Sequence, residues 1–419
     1  MAETMKDSGQ EWIGIIPENW EVKRIAALYS PRNTKVSDED YPPLSVTMQG
    51  VLPQLETVAK TDDHSNRKLV KKGDFAINSR SDRRGSCGIS QYDGSVSLIN
   101  TVLKPIGKMN PIYYNWLFHT TLFADEFFKW GHGIVDDLWS TNWQDMKSIC
   151  VTVPPLDEQE KIADFLDEKC AEIDRLSEDI QKQIDILEEY KKSVITRAVT
   201  KGLNPNAEMK DSGRSYIGSI PEKWEIIRVK DVFKMQSGFT PDSKRTDYYD
   251  DIDGFNWVTI ADINKNGLLP EITKSKISKK YIEAFHPRIA KAGSLLYSFK
   301  LSLGQVALAE KDIYTNEAII SFSCKEARNL RFLKYSSSLI EYNANTNIYG
   351  SKILNQQLIG NAHVTFPPVE EQEAIANFLD DFNAKMCNII EEKSDQLQKI
   401  DAYKKSIIYE YVTGKKRVA

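Results

Sequence analysis

Residues 153–169 read VPPLDEQEKIADFLDEK, and residues 366–382 read FPPVEEQEAIANFLDDF. Carried on to Thr200 and Thr413, the two stretches share 20 of 48 positions. Chance does not produce such a match, so the chain is one cassette written twice. In each copy the proline pair blocks helix propagation backwards and fixes an extended approach. Acidic residues follow at once (Asp157, Glu158 and Glu160; Glu370, Glu371 and Glu373), where the positive end of a helix favours negative charge. Each helix is therefore expected to start just after its prolines. Ile162, Phe165, Leu166, Ile173, Leu176, Ile180, Ile184, Leu187 and Val194 then step by three, four or seven. Ile375, Phe378, Leu379, Phe382, Met386, Ile389, Ile400, Tyr403 and Ile407 do likewise. Both read as amphipathic helices of ~45 residues, roughly 65 Å long. Alone, each would expose a continuous apolar stripe. Pairing as an antiparallel coiled coil buries both stripes and would hold the two attached bodies at opposite ends.

A second repeat lies upstream. Residues 5–29 (MKDSGQEWIGIIPENWEVKRIAALY) return at 209–233 (MKDSGRSYIGSIPEKWEIIRVKDVF) with 13 of 25 positions identical. Each cassette thus runs from a lead-in ending in I-P-E-x-W-E, through a variable body of about 130 residues, to a P-P hinge and a long helix. The boundaries read as 1–153 for the first body, 154–200 for the first helix and 201–208 for a linker. They continue as 209–366 for the second body, 367–413 for the second helix and 414–419 for a basic tail. The bodies read as mixed α/β. Strands are expected at 43–48, 74–78 and 96–102 with helix at 113–128, then at 256–260, 294–299 and 318–323 with helix at 330–342. Gly73 and Gly293 line up as turn glycines entering strands that end in a cation. The fold class is α+β: two α/β bodies and two paired long helices, with an internal pseudo-two-fold repeat.

The 419 residues (47.8 kDa) are 41% hydrophobic and 27% charged, with mean hydropathy −0.45. That composition suits a globular protein with sizeable cores and excludes disorder as the main state. No apolar run reaches the ~18 residues of a membrane span, and the first residues carry no signal-peptide apolar region, so an intracellular protein is expected. The five cysteines are far apart, without a C-x-x-C pair or histidines at zinc-ligand spacing, and read as reduced thiols.

The net charge of −5 argues at face value against a polyanionic partner. The average misleads, because residues 157–200 carry −6 and 368–413 carry −5, which leaves +6 on the rest. Residues 60–90 hold eight bases (Lys60, Arg67, Lys68, Lys71, Lys72, Arg80, Arg83 and Arg84) against four acids. Residues 270–300 hold seven (Lys274, Lys276, Lys279, Lys280, Arg288, Lys291 and Lys300) against two. One such window is ordinarily a solvated face; its recurrence at the equivalent place in both halves favours nucleic acid.

Catalytic signatures are missing: there is no G-x-x-x-x-G-K-[ST], no G-x-G-x-x-G after a strand, no G-x-S-x-G and no H-E-x-x-H. The N-P-P-[FYW] tetrapeptide with which amino-methyltransferases hold a target base is also missing, since both proline pairs are followed by Leu or Val. A non-catalytic chain is expected. A stand-alone methyltransferase or nuclease remains open and would bind S-adenosylmethionine or a divalent metal by itself. A coiled-coil scaffold also remains open and would bind no DNA.

The doubled I-P-E-x-W-E, the doubled P-P-[LV]-[DE]-E-Q-E-x-I-A-x-F-L-D, and Ser237-Gly238-Phe239-Thr240-Pro241 followed by Tyr248-Tyr249 and Trp257-Val258-Thr259 carry a resemblance over essentially the whole chain. It resembles the DNA-specificity subunit of type I restriction–modification enzymes. The S-G-x-T-P element occurs only in the second body; the first has Ser30-Pro31-Arg32-Asn33 instead. The resemblance implies that each body is a target-recognition domain reading half of a split double-stranded DNA site. The helices would be the ruler between halves, on the order of 20 bp. It implies as partners two modification (methyltransferase) subunits and the restriction (translocase/nuclease) subunits, in the cytoplasm of a bacterial or archaeal cell. It places adenine methylation, S-adenosylmethionine, ATP and Mg on those partners, with no cofactor or metal on this chain. Candidate DNA contacts are Lys68, Lys71, Lys72, Arg80, Arg83 and Arg84 in the first body, and Lys276, Lys279, Lys280, Lys300 and Gln305 in the second.

Overall fold

The computed structural model describes residues 4–54, 66–133, 139–263, 267–300, 302–324, 327–346, 350 and 352–418. Lys60 of the first basic window lies outside them. The long helices run Leu156–Lys201 and Val369–Val412. The chain divides into two compact units, Met1–Gln181 with Asp395–Ala419, and Lys182–Ser394. This division cuts through both helices instead of setting them apart as separate spacers. The reason is packing: Ile162, Leu166, Cys170 and Ile173 of the first helix share one continuous core with Trp20, Tyr113 and Phe118 of the first body.

In unit 1, Glu21–Arg24 pairs antiparallel with Cys150–Val153, so the lead-in and the hinge are clamped together. A four-stranded sheet follows the order Tyr29–Pro31, Asn100–Pro105, Phe75–Asn78, Cys87–Ile89. In unit 2, Glu225–Arg228 pairs with His363–Phe366, and the sheet order is Lys234–Ser237, Ile319–Ser323, Leu295–Ser298, Val306–Leu308. The two orders are the same when the strands are taken by their place in the cassette. Gly73 (φ 89°) and Gly293 (φ 83°) enter the equivalent strands Phe75–Asn78 and Leu295–Ser298. Open space surrounds the Cβ position of both, so the backbone conformation, not crowding, requires glycine there. The second layers differ. Unit 1 has the antiparallel set Gly94–Ser97, Arg67–Val70 and Lys35–Val36; unit 2 has Lys276–Ile277, Phe255–Val258 and Tyr314–Thr315, the last pair parallel.

Three expected elements are corrected. The strand expected at 96–102 is two strands in different sheets, Gly94–Ser97 and Asn100–Pro105, turned at Leu98 and Ile99 where the Asn100 side chain donates to the Ser97 carbonyl. The helix expected at 113–128 is two, Pro111–Phe118 and Thr121–Lys129, because Thr120 bonds the Leu117 carbonyl and caps the second helix at the Phe123 N–H. The strand expected at 256–260 stops at Val258, where Thr259 and Asp262 form a reciprocal cap.

Four positions of the duplicated motifs, Trp, Glu, Gln and Asp, carry structural hydrogen bonds in both copies. Trp20 Nε1 donates to Glu158 Oε2, and Trp224 Nε1 to Glu371 Oε2, both at 2.8 Å. Gln159 Nε2 donates to the Pro154 carbonyl (2.8 Å) and Gln372 Nε2 to that of Pro367 (2.7 Å), both in buried positions where an unpaired carbonyl would be costly. Asp167 accepts from Trp116 Nε1, while Asp380 accepts from Arg331, Lys334 and Tyr335, so each F-L-D aspartate docks a body helix.

The helix pairing is antiparallel within each unit. In unit 1, Phe165 stacks near Tyr411 (4.4 Å) and Asp174 pairs with Lys404 (2.6 Å), so numbers fall on one helix as they rise on the other. In unit 2, Tyr190 meets Phe382 and Gln183 meets Lys393. The last turn of each helix is received by the other cassette's hinge strand: Thr152 donates to the Val412 carbonyl (2.9 Å) and Thr365 to that of Val199 (2.5 Å). Gly414 (φ 71°) and Gly202 (φ 74°) then end the helices in the left-handed conformation. None of the five cysteines is in a disulfide. Burial pushes the Cys170 thiol up to about 11, which keeps it protonated near neutral pH.

Candidate nucleic-acid interface

In unit 1 the expected cations do not form one set. Lys68 is half-buried on Arg67–Val70 and its Nζ donates to the Asn100 carbonyl at 2.7 Å; burial lowers its pKa. Its ammonium links the strand Arg67–Val70 to the strand Asn100–Pro105. Its neighbour Arg67 is buried and bonds Ser95. Lys71 and Lys72 are exposed beside the Gly73 turn, whose backbone is tied by Asp74 and Asp93. Arg80, Arg83 and Arg84 stand together around the 3-10 turn Ser81–Arg83 that follows the central strand. Arg83 lies 3.4 Å from Asp82. Arg84 lies flat over Phe128, 3.7 Å from the ring centroid, and donates to Asp125 at 3.1 Å. Arg80 and Arg84 flank an apolar pocket lined by Phe118, Phe127, Phe128 and Trp139.

In unit 2 most of the basic window has local partners. Lys276 Nζ bonds the Ile252 carbonyl (2.6 Å), Lys279 lies 3.6 Å from Glu283, Lys280 pairs with Asp247 (2.6 Å), and Lys300 is 3.9 Å from Glu317. These pairs are exposed and weak, so their cations stay available to a stronger anion. Gln305 is half-buried: its Oε1 is buried without a hydrogen-bond partner among the described residues, and its backbone N–H donates to Ser298 Oγ.

The S-G-F-T-P segment is positioned by a backbone contact. A Cβ on Gly238 would lie 2.1 Å from the Thr315 carbonyl oxygen, so only glycine lets the strand pass. Phe239 then stacks on Tyr281 (5.4 Å, 11°), and Tyr248 packs edge to face against Tyr281 and Phe285, which are tilted on each other. Arg245 lies over Tyr248 at 4.6 Å and gives two parallel bonds of 2.9 Å to Asp247. Counting bases in windows missed Arg245, which precedes the second window. Its signal in sequence is the alternation Arg245, Asp247, Tyr248 within a turn.

Among the described residues, no group of three or more His, Cys, Asp or Glu is placed to hold a metal ion. No helix among them is long and apolar enough to cross a membrane. What the two units share is a scaffold of one topology carrying different loops, with cations and aromatic rings displayed on them.

That duplicated scaffold defines a class. The family model described as type I restriction modification DNA specificity domain matches residues 17–185 and 221–399, once per cassette, and the chain belongs to this family. The type I restriction enzyme MjaVIII specificity subunit of Methanocaldococcus jannaschii is 25% identical over 436 aligned positions, covering 96% of this chain and 94% of the relative. The type I restriction enzyme EcoBI specificity subunit of Escherichia coli is 24% identical, covering 64% and 59%. A chain solved in work on complex assembly and conformational transition of the type I R-M system superposes with TM-score 0.70 over 95% of this chain and 98% of that one. At 13% identity that likeness speaks for the fold.

Proposed function

We propose that each unit reads one half of a bipartite double-stranded DNA site, and that the chain brings two modification subunits and the restriction subunits to that site without catalysing a reaction itself. The observation carrying this reading is the four-stranded sheet of one strand order in both units, held by equivalent pairs of lead-in and hinge strands, beneath unlike second sheets and surface loops. One scaffold used twice suits two partners bound in equivalent ways, and unlike loops suit two different base sequences. On this reading the paired helices set the gap, methyl transfer to adenine belongs to the modification subunits with S-adenosylmethionine, and ATP and Mg serve the restriction subunits.

Arg80, Arg83 and Arg84, with Lys71 and Lys72, would meet phosphates and base edges of one half-site. Lys276, Lys279, Lys280 and Lys300 would meet those of the other. Mapping methylated adenines in DNA from cells carrying the chain with its modification partners tests the proposal. The expected result is one split motif whose halves change separately when either body is exchanged. Methyl transfer by the isolated chain, or a motif that ignores both exchanges, would overturn it.

A further inference from the structure

We infer that Arg245 reads a guanine from the major groove of the half-site bound by unit 2, an inference that rests on the reading of that unit as a DNA-sequence reader. The guanidinium has three restraints. Asp247 takes Nε and Nη2 through two bonds of 2.9 Å. The Tyr248 ring lies beneath it at 4.6 Å. That ring is itself fixed edge to face against Tyr281 (5.1 Å) and Phe285 (5.6 Å). Asp247 Oδ2, which accepts from Arg245 Nη2, also accepts from Lys280 at 2.6 Å.

The outer edge of the guanidinium, formed by Nη1 and the second Nη2 hydrogen, has no partner among the described residues, and the side chain is 51% exposed. Two parallel N–H donors on a rigid plane match the O6 and N7 acceptors of guanine. Restraint before binding removes the rotamer cost of making that pair. Asp247 offsets part of the charge of Arg245 and Lys280 and leaves the free edge of the guanidinium intact, and it is the planar two-donor shape of that edge that favours a guanine.

Unit 1 holds an arginine between a ring and an aspartate in a different way. Arg84, just before the strand Cys87–Ile89, lies over Phe128 and gives Asp125 one bond from Nη1, with both partners on the helix Thr121–Lys129. In unit 2 the aspartate and the ring come from the same turn as the arginine, and the bond is paired through Nε and Nη2.

The test uses the complex assembled with its modification subunits. Wild type, Arg245→Ala, Arg245→Lys and Asp247→Asn complexes are compared by methylation mapping, and by binding to duplexes carrying 7-deazaguanine, which lacks N7, at each guanine in turn. Wild type should lose about tenfold in affinity at one guanine of one half-site. Arg245→Ala should be indifferent to that replacement and should methylate sites degenerate at that position, and Arg245→Lys, which keeps a charge but not the planar two-donor edge, should lose most of the discrimination, with the other half-site unchanged in both. If Arg245→Ala fails to assemble, Arg245→Lys, which keeps the charge, decides. A split motif that keeps full guanine discrimination in both variants overturns the inference and leaves the bipartite reading standing. Uniform weakening on all duplexes with a shallower salt dependence makes Arg245 a phosphate contact and also overturns it. Absence of any sequence-specific methylation by the wild-type complex overturns the bipartite reading itself.

Discussion

Trp20 Nε1 donates to Glu158 Oε2 at 2.8 Å, tying the I-P-E-x-W-E lead-in to the first turn of the helix that begins 136 residues later. Trp224 and Glu371 repeat the bond at the same distance. The carboxylates differ in their other partners: Glu158 also accepts from Asn19 at 2.8 Å and lies 3.8 Å from Arg417. Replacing either tryptophan with Phe removes one charge-assisted hydrogen bond, worth about 1.5–3 kcal/mol. Trp224→Phe should destabilise more than Trp20→Phe, because Glu158 keeps its neighbours. Denaturant unfolding of the two variants checks the order; equal losses would show that Asn19 and Arg417 contribute nothing.

Two glycines separate backbone conformation from crowding. Gly293→Ala places a Cβ in open space at φ 83°, so it should lose about 1–2 kcal/mol from the left-handed conformation alone. Gly238→Ala must push a Cβ away from the Thr315 carbonyl, 2.1 Å distant, and should lose about 3 kcal/mol. Thermal melts in parallel test this, and a Gly238→Ala loss no larger than that of Gly293→Ala would contradict the close approach.

Burial raises the Asp380 carboxyl, but bonds from Tyr335 and Arg331 and the charge of Lys334 outweigh it and hold the group below its ordinary 3.8. A carboxylate depressed on folding contributes stability that is full above the unfolded value and is lost as pH falls through the folded one. Asp380→Asn should therefore cost about 1 kcal/mol near neutral pH, and the gap to wild type should close as pH drops below about 4. Unfolding curves at several pH values measure it; a gap that persists unchanged at about pH 3 would mean that charge has no part in the docking.

Replacing Arg80, Arg83 and Arg84 with Ala should lower the slope of log affinity against log salt by about 0.9 for each phosphate contact removed. Lys68→Met should leave that slope unchanged, since its ammonium is spent on the Asn100 carbonyl. The two binding series, run on the assembled complex, separate groove-facing cations from sheet-stitching ones.

Sequence alone determined the double cassette, the start of each long helix, their amphipathic stripes and the turn glycines Gly73 and Gly293. These features are local, resting on proline sterics, helical period and backbone conformation, and local rules are readable along one chain. Unequal burial within a window of charge was not readable. Arg67 and Lys68 sit beside Lys71 and Lys72 in sequence, but in the strand Arg67–Val70 the first is buried on Ser95 and the second is held by the Asn100 carbonyl. The breaks at Leu98 and Thr120 were hidden because single side-chain bonds outweighed an apolar pattern that continues across them. Tertiary structure alone decided which carboxylate meets which cation, that Glu158 and Gln159 serve the lead-in and the hinge, and that Arg84 and Arg245 each lie between a ring and an aspartate. Those arrangements include contacts between residues up to 259 positions apart, Glu158 and Arg417, whose distances only the folded packing sets.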